Sequence, residues 1–118
     1  MIGEAALKDQ IDLRGASGAV YRFSLFKDGR PLSPMGGNYI YARWTADRIE
    51  FLYLDEVQNL LKDSQVRWSE AVANHQAIAV YTRLNISERV RKLEHADLLE
   101  ALRPPMNDLS ELERKKAS

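Results

Sequence analysis

The stretch from Gly36 to Leu54, GGNYIYARWTADRIEFLYL, constrains the fold more than any other part of the chain. Two runs rich in aromatic and branched residues flank a polar centre at Thr45 to Arg48, which is a β-hairpin signature. Side chains alternate along a strand. Tyr39, Tyr41 and Arg43 therefore share one face of the first run, and Ile40, Ala42 and Trp44 the other. In the second run Ile49, Phe51 and Tyr53 alternate with Glu50, Leu52 and Leu54. Register decides whether the tyrosines meet, because a one-residue slip flips a whole face. A three- or five-residue loop sets Tyr41 opposite Tyr53 and joins Leu52 and Leu54 to Ile40 and Ala42. A two- or four-residue loop pairs Arg43 with Glu50 and sends Tyr53 to Ile40. The apolar sorting outweighs one exposed ion pair, so the odd-length loop is expected.

The rest of the chain supplies elements to pack on that hairpin. Met1 to Ser17 is weakly patterned, and Ala5, Ala6, Leu7 and Ile11 suit a short helix or an arm. Ala19 to Phe26 reads as a strand, and Lys27-Asp28-Gly29-Arg30 as a turn. Asp55 to Lys62 is expected to be a short helix capped by Asp55, and Arg67 to Asn74 a second. Gln76 to Leu84 carries the nearly all-apolar run Ala77 to Tyr81, as a central strand covered on both faces would. Asn85 or Ser87 caps a long helix that runs to about Leu102 and ends before Pro104-Pro105. On that helix Val90, Leu93, Leu98, Ala101 and Leu102 form an apolar stripe with Glu94 and Asp97 inside it. A carboxylate on a buried face needs a cation, so Glu94 is either ion-paired or a metal or catalytic ligand.

Composition removes several classes of function. The 17 basic and 17 acidic side chains cancel, so no general field draws the chain to nucleic acid or to an anionic membrane. Arg89, Arg91 and Lys92 are balanced by Glu88, Glu94 and Glu100. Without cysteine there is no disulfide, thiolate zinc site or thiol nucleophile. No apolar run reaches membrane-span length, and the N-terminus lacks the apolar core of a signal peptide. A cytoplasmic protein with no membrane partner is the expectation. His75 and His95 read as surface or strand-end residues.

In order and spacing, these pieces resemble the GIY-YIG endonuclease family between Gly36 and about Asp108. Gly37-Asn38-Tyr39 stands where the family has Gly-Ile-Tyr, and Tyr53-Leu54-Asp55 where it has Tyr-Ile-Gly. Gln58-Asn59-Leu60 and Arg67-Trp68-Ser69-Glu70-Ala71 resemble its first two helices. Arg91 to Leu99 resembles the helix with the metal-binding Glu, and Arg103-Pro104-Pro105-Met106-Asn107 the closing segment. The resemblance implies an α+β fold: a small antiparallel sheet of the hairpin and a third strand, with Ala19 to Phe26 added at an edge, flanked by helices. One domain is expected, with a core over 36–108, an N-terminal addition over 1–35 and a polar tail over 109–118.

The resemblance also implies a chemistry, phosphodiester cleavage with one divalent metal, Mg²⁺ or Mn²⁺. Glu94 would hold the metal, Tyr39 and Tyr53 would position or activate water, and Asn107 would support the site. Lys62, Arg67 and Arg43 are the candidate contacts to nucleic acid. Two departures weaken that chemistry. Asp55 replaces the second-motif Gly, and Asp63 stands where the family has its transition-state Arg, with only Lys62 beside it. Lys offers a point charge without the bidentate fork of Arg. The expectation is therefore a GIY-YIG-like domain with absent or weak nuclease activity that binds nucleic acid or a protein. An active DNA endonuclease is the alternative.

Overall fold

A computed structural model describes residues 7–27 and 30–117. Asp28 and Gly29 of the expected turn, and Ala5 and Ala6 of the expected N-terminal helix or arm, lie outside the described residues. In chain order the elements are β1 (Gln10–Arg14), β2 (Val20–Leu25), β3 (Gly37–Thr45), β4 (Arg48–Val57), α1 (Leu60–Asp63), α2 (Trp68–His75), β5 (Ala79–Leu84), α3 (Glu88–Leu102) and α4 (Ser110–Ala117). The strands form one antiparallel sheet in the order β1-β2-β5-β3-β4. The fold class is α+β, with five strands where three and an edge were expected. None of the described helices is long and apolar enough to cross a membrane.

β5 lies in the middle of the sheet, as its apolar run predicts. Ala79 and Tyr81 pack on one face with Leu13, Phe23, Ile40, Ala42, Leu54 and, from α3, Leu98. Val80 packs on the other with Tyr39, Tyr41, Leu52, Leu60, Ala71 and Met106. The sheet curls, so that Leu13 of β1 and Phe51 of β4 reach the same apolar cluster from its two ends.

The hairpin satisfies both of the registers that alternation sets against each other. Thr45 pairs with Arg48, leaving the two-residue loop Ala46-Asp47, and Arg43 pairs with Glu50. Yet Tyr41 still lies opposite Tyr53, because the ladder shifts between Tyr41 and Ala42. Leu52 is the extra residue of a β-bulge, which changes the face that follows it. Leu52 therefore joins the tyrosine face, and Ile49 and Phe51 take the core positions expected of it. The odd-length loop is corrected accordingly.

The N-terminal segment is integral to the sheet. Residues 10–14 are a strand rather than a helix or arm, and β2 is interior rather than an edge. The β1–β2 turn is bolted to α3 by Asp97. Its carboxylate accepts from the Ser17 N–H (2.8 Å), the Ser17 hydroxyl (2.7 Å) and the Tyr21 hydroxyl (2.7 Å). Asp97 approaches so closely that Gly15 has no room for a Cβ.

Two helix expectations change. β4 continues through Asp55 to Val57, and α1 begins only after Asn59, whose side chain accepts from Lys62 N–H as the N-cap. In α3, capped by Ser87, the buried residues are Arg91 and Leu98, while Leu93 is 59% exposed. The inward stripe is thus polar in its first half and apolar in its second.

Candidate functional site

The β3–β4 pairing brings three tyrosine rings together. Centroids lie 5.5 Å apart for Tyr39–Tyr41, 5.6 Å for Tyr41–Tyr53 and 6.1 Å for Tyr39–Tyr53. Trp68, the first residue of α2, stands edge-on to Tyr41 at 5.2 Å. Such tilted aromatic contacts favour the ring quadrupoles as well as burial. The Tyr41 hydroxyl donates to the Ser64 carbonyl (2.8 Å) and accepts from the Arg67 N–H (3.3 Å). The Tyr53 hydroxyl donates to Asp55 Oδ2 (3.1 Å). The Tyr39 hydroxyl is buried and has no hydrogen-bond partner among the described residues.

Burial pushes all three phenols above their ordinary range, Tyr41 to about 12. For Tyr39 and Tyr53 the Asp55 carboxylate adds to the effect. At neutral pH the cluster therefore presents neutral hydroxyls, suited to donating hydrogen bonds and unsuited to removing a proton from water.

Arg67 caps the cluster. Its guanidinium lies 4.7 Å from the Tyr53 ring centroid, donates to the Met106 carbonyl (3.0 Å) and holds Glu70 at 2.7 Å. A cation over an aromatic face gains from the ring quadrupole. Of the expected phosphate contacts, Arg67 alone stands beside the tyrosines. Its spacing from Tyr53 in the sequence offered no signal of that contact, because the turns between α1 and α2 decide where it lands. Lys62 is exposed. Arg43 is held by Glu50 (3.5 Å) and donates to the His75 carbonyl (3.0 Å), fastening the hairpin to the end of α2.

Glu94 lies elsewhere. Its Oε1 accepts from Arg83 Nε (2.8 Å) and Asn85 Nδ2 (2.9 Å). Asn85 also donates to Asn38 Oδ1 (3.0 Å), and the buried Asn38 donates to the Arg91 carbonyl (3.2 Å). Arg83 in turn sits 5.4 Å from the centroid of Tyr21, whose hydroxyl binds Asp97 of α3. The network belongs to the α3 side of the sheet, across from the tyrosines. The expected meeting of Glu94 with Tyr39 or Tyr53 is corrected: α3 turns Glu94 toward β5, where an arginine already neutralises it. An Arg-paired, Asn-bonded carboxylate is a poor fit for Mg²⁺ or Mn²⁺, which demand several oxygen donors. Among the described residues no group of three or more His, Asp or Glu is placed to hold a metal ion.

Asn107 bonds the edge strand reciprocally. It accepts from the Leu54 N–H (2.9 Å) and donates to the Leu54 carbonyl (2.8 Å), while Met106 N–H bonds the Leu52 carbonyl (2.9 Å). Residues 106–107 thereby cover the exposed backbone of β4, a protection that edge strands require.

His95 is not a surface residue. It is partly buried on α3, its buried Nδ1 has no hydrogen-bond partner among the described residues, and Asp55 and Glu56 are its charged neighbours. Burial lowers its pKa from the ordinary 6.5, against the opposing pull of those two carboxylates. The unfolded chain thus protonates His95 before the fold does. Its contribution is complete above pH 6.5 and is lost as pH falls below that value. Denaturant titrations at pH 7.5 and 5.5 are expected to show wild type losing more stability than His95→Gln. Equal losses would remove His95 as the cause.

No protein-family model matches the chain, and neither a curated protein nor a solved structure matches it significantly.

Proposed function

We propose that the chain is a GIY-YIG-like domain that binds a protein partner and does not cleave nucleic acid. The observation that carries this reading is the closed contact of Glu94 with Arg83 and Asn85, which occupies the one carboxylate the family chemistry would need. Three further features support it. The tyrosines are held neutral, Asp63 stands at the Arg position, and Arg67 and Arg43 are neutralised by Glu70 and Glu50. In addition, Leu61, Val66 and Val72 around α1 and α2 stay 57%, 69% and 45% exposed, an apolar surface suited to a protein.

Arg67 over Tyr53 favours a second reading, a Mg²⁺- or Mn²⁺-dependent DNA endonuclease in which Arg67 supplies the missing cation. Plasmid incubated with either metal separates the two. Wild type is expected to nick no faster than Glu94→Ala. Losing one transition-state donor costs about a hundred- to a thousandfold in rate, so any remaining activity is near background. Strong nicking by wild type, abolished in both Glu94→Ala and Arg67→Ala, would replace the first reading by the second.

A further inference from the structure

The turn between β1 and β2 is exposed from Ala16 through Val20. Within it Ser17 gives two donors, its N–H and its hydroxyl, to the Asp97 carboxylate of α3. Those bonds hold the Asp97 carboxyl below its ordinary 3.8, so it is charged at neutral pH. The Ala16 N–H adds a bond to the Asp97 carbonyl (3.1 Å). Arg14, three residues before Ser17, crosses the same turn and donates to the Gly18 carbonyl (2.9 Å). Ser17 therefore stands between an anion on α3 and a cation on its own turn. A phosphate would reverse its choice of partner. It brings about −1.5 to −2 charges at pH 7 and replaces the hydroxyl donor with acceptor oxygens. Such a group is repelled by Asp97 and drawn to Arg14.

We propose that Ser17 is a phosphorylation site for a serine kinase that reads an arginine three residues before its target, and that the phosphate unlocks the β1–β2 turn from α3. The kinase supplies a nucleoside triphosphate. Ser17 Oγ bonds to the γ-phosphorus, the bond to the β,γ-bridging oxygen breaks, and the nucleoside diphosphate leaves with that electron pair. The hydroxyl proton passes to the base carboxylate of the kinase. The phosphate then exchanges Asp97 for the Arg14 guanidinium, whose fork suits phosphate oxygens. Arg30 precedes Ser33 by the same interval, but Ser33 is only half-exposed and Pro34 restricts its backbone. Ser17 has no proline after it, and the glycine that follows lets the turn extend into a kinase groove. The site is independent of any role of the tyrosine cluster.

The test incubates full-length protein with Mg²⁺, ATP and the catalytic subunit of cyclic-AMP-dependent protein kinase, and locates the phosphate by peptide mass spectrometry. Ser17 is expected to be the main modified residue in wild type and in Ser33→Ala. Arg14→Ala should slow the reaction about tenfold, the weight of one charge-assisted contact. In the phosphorylated protein the Ala16 and Ser17 amides should exchange about tenfold faster, the value of one hydrogen bond to a charged group. Asp97→Asn keeps an acceptor without the charge, so phosphorylation should accelerate exchange less in that variant. An unmodified protein, or phosphate on Ser33 or another residue in place of Ser17, would overturn the proposal. So would unchanged exchange after Ser17 is modified, or an equal acceleration in Asp97→Asn.

Discussion

Replacing Arg91 with Met is expected to cost about 3–5 kcal/mol, a large share of the roughly 5–15 kcal/mol that a domain commands. The Arg91 side chain is 3% exposed and bonds Glu56 Oε2 at 2.6 Å through Nε. Its Nη1 also serves the carbonyls of Asn85 (3.2 Å) and Ile86 (3.1 Å). The variant keeps most of the aliphatic stem but leaves a carboxylate and two carbonyls without their donor. A buried ion pair adds little net stability against an apolar pair, whereas removing one partner strands the other. The double variant Arg91→Met/Glu56→Leu should therefore recover much of the loss. Urea titrations decide the matter. A cost below about 1 kcal/mol for the single variant would mean that Glu56 turns freely into water.

Deleting residues 1–17 is expected to abolish cooperative unfolding. The deletion removes all five pairings of β1 with β2 and takes away Leu13, which is 6% exposed in the core. It also strips Asp97 of both Ser17 bonds and turns β2 into a raw edge. Truncating Leu13 alone to Ala should cost about 2–5 kcal/mol in the full chain. Losing the whole strand should consume the remainder. A truncated chain that still melts sharply, within about 1 kcal/mol of full length, would make β1 an accessory strand.

The tyrosine cluster was legible in outline. Period-2 alternation is local, so Tyr39 and Tyr41 had to share a face wherever the hairpin ended up. The neighbours of that cluster were not legible. Arg67 reaches Tyr53 across the turns after α1, and Asp55 entered the cluster because β4 continues where a helix was expected. Glu94 shows the same limit from the other side. Its place on a half-buried helix face called for a cation or a metal, and that requirement held. The partner, Arg83, lies on β5, and only the packing of α3 against the sheet selected it.

The sequence by itself determined the hairpin, the central position of β5 and the end of the long helix. Each rests on signals that act within a few residues: alternation, an unbroken apolar run, and prolines that halt a helix. Tertiary structure decided the bulge at Leu52, the rotation of α3 that buries Arg91 and exposes Leu93, and the recruitment of residues 10–14 as a strand. These features depend on groups far apart in the chain. The bulge lets Tyr53 meet Tyr41 while Arg43 keeps Glu50. The helix rotation accompanies the Arg91–Glu56 and Ser17–Asp97 contacts. The strand forms because β2 offers Leu13 a core that its own neighbours in sequence do not announce.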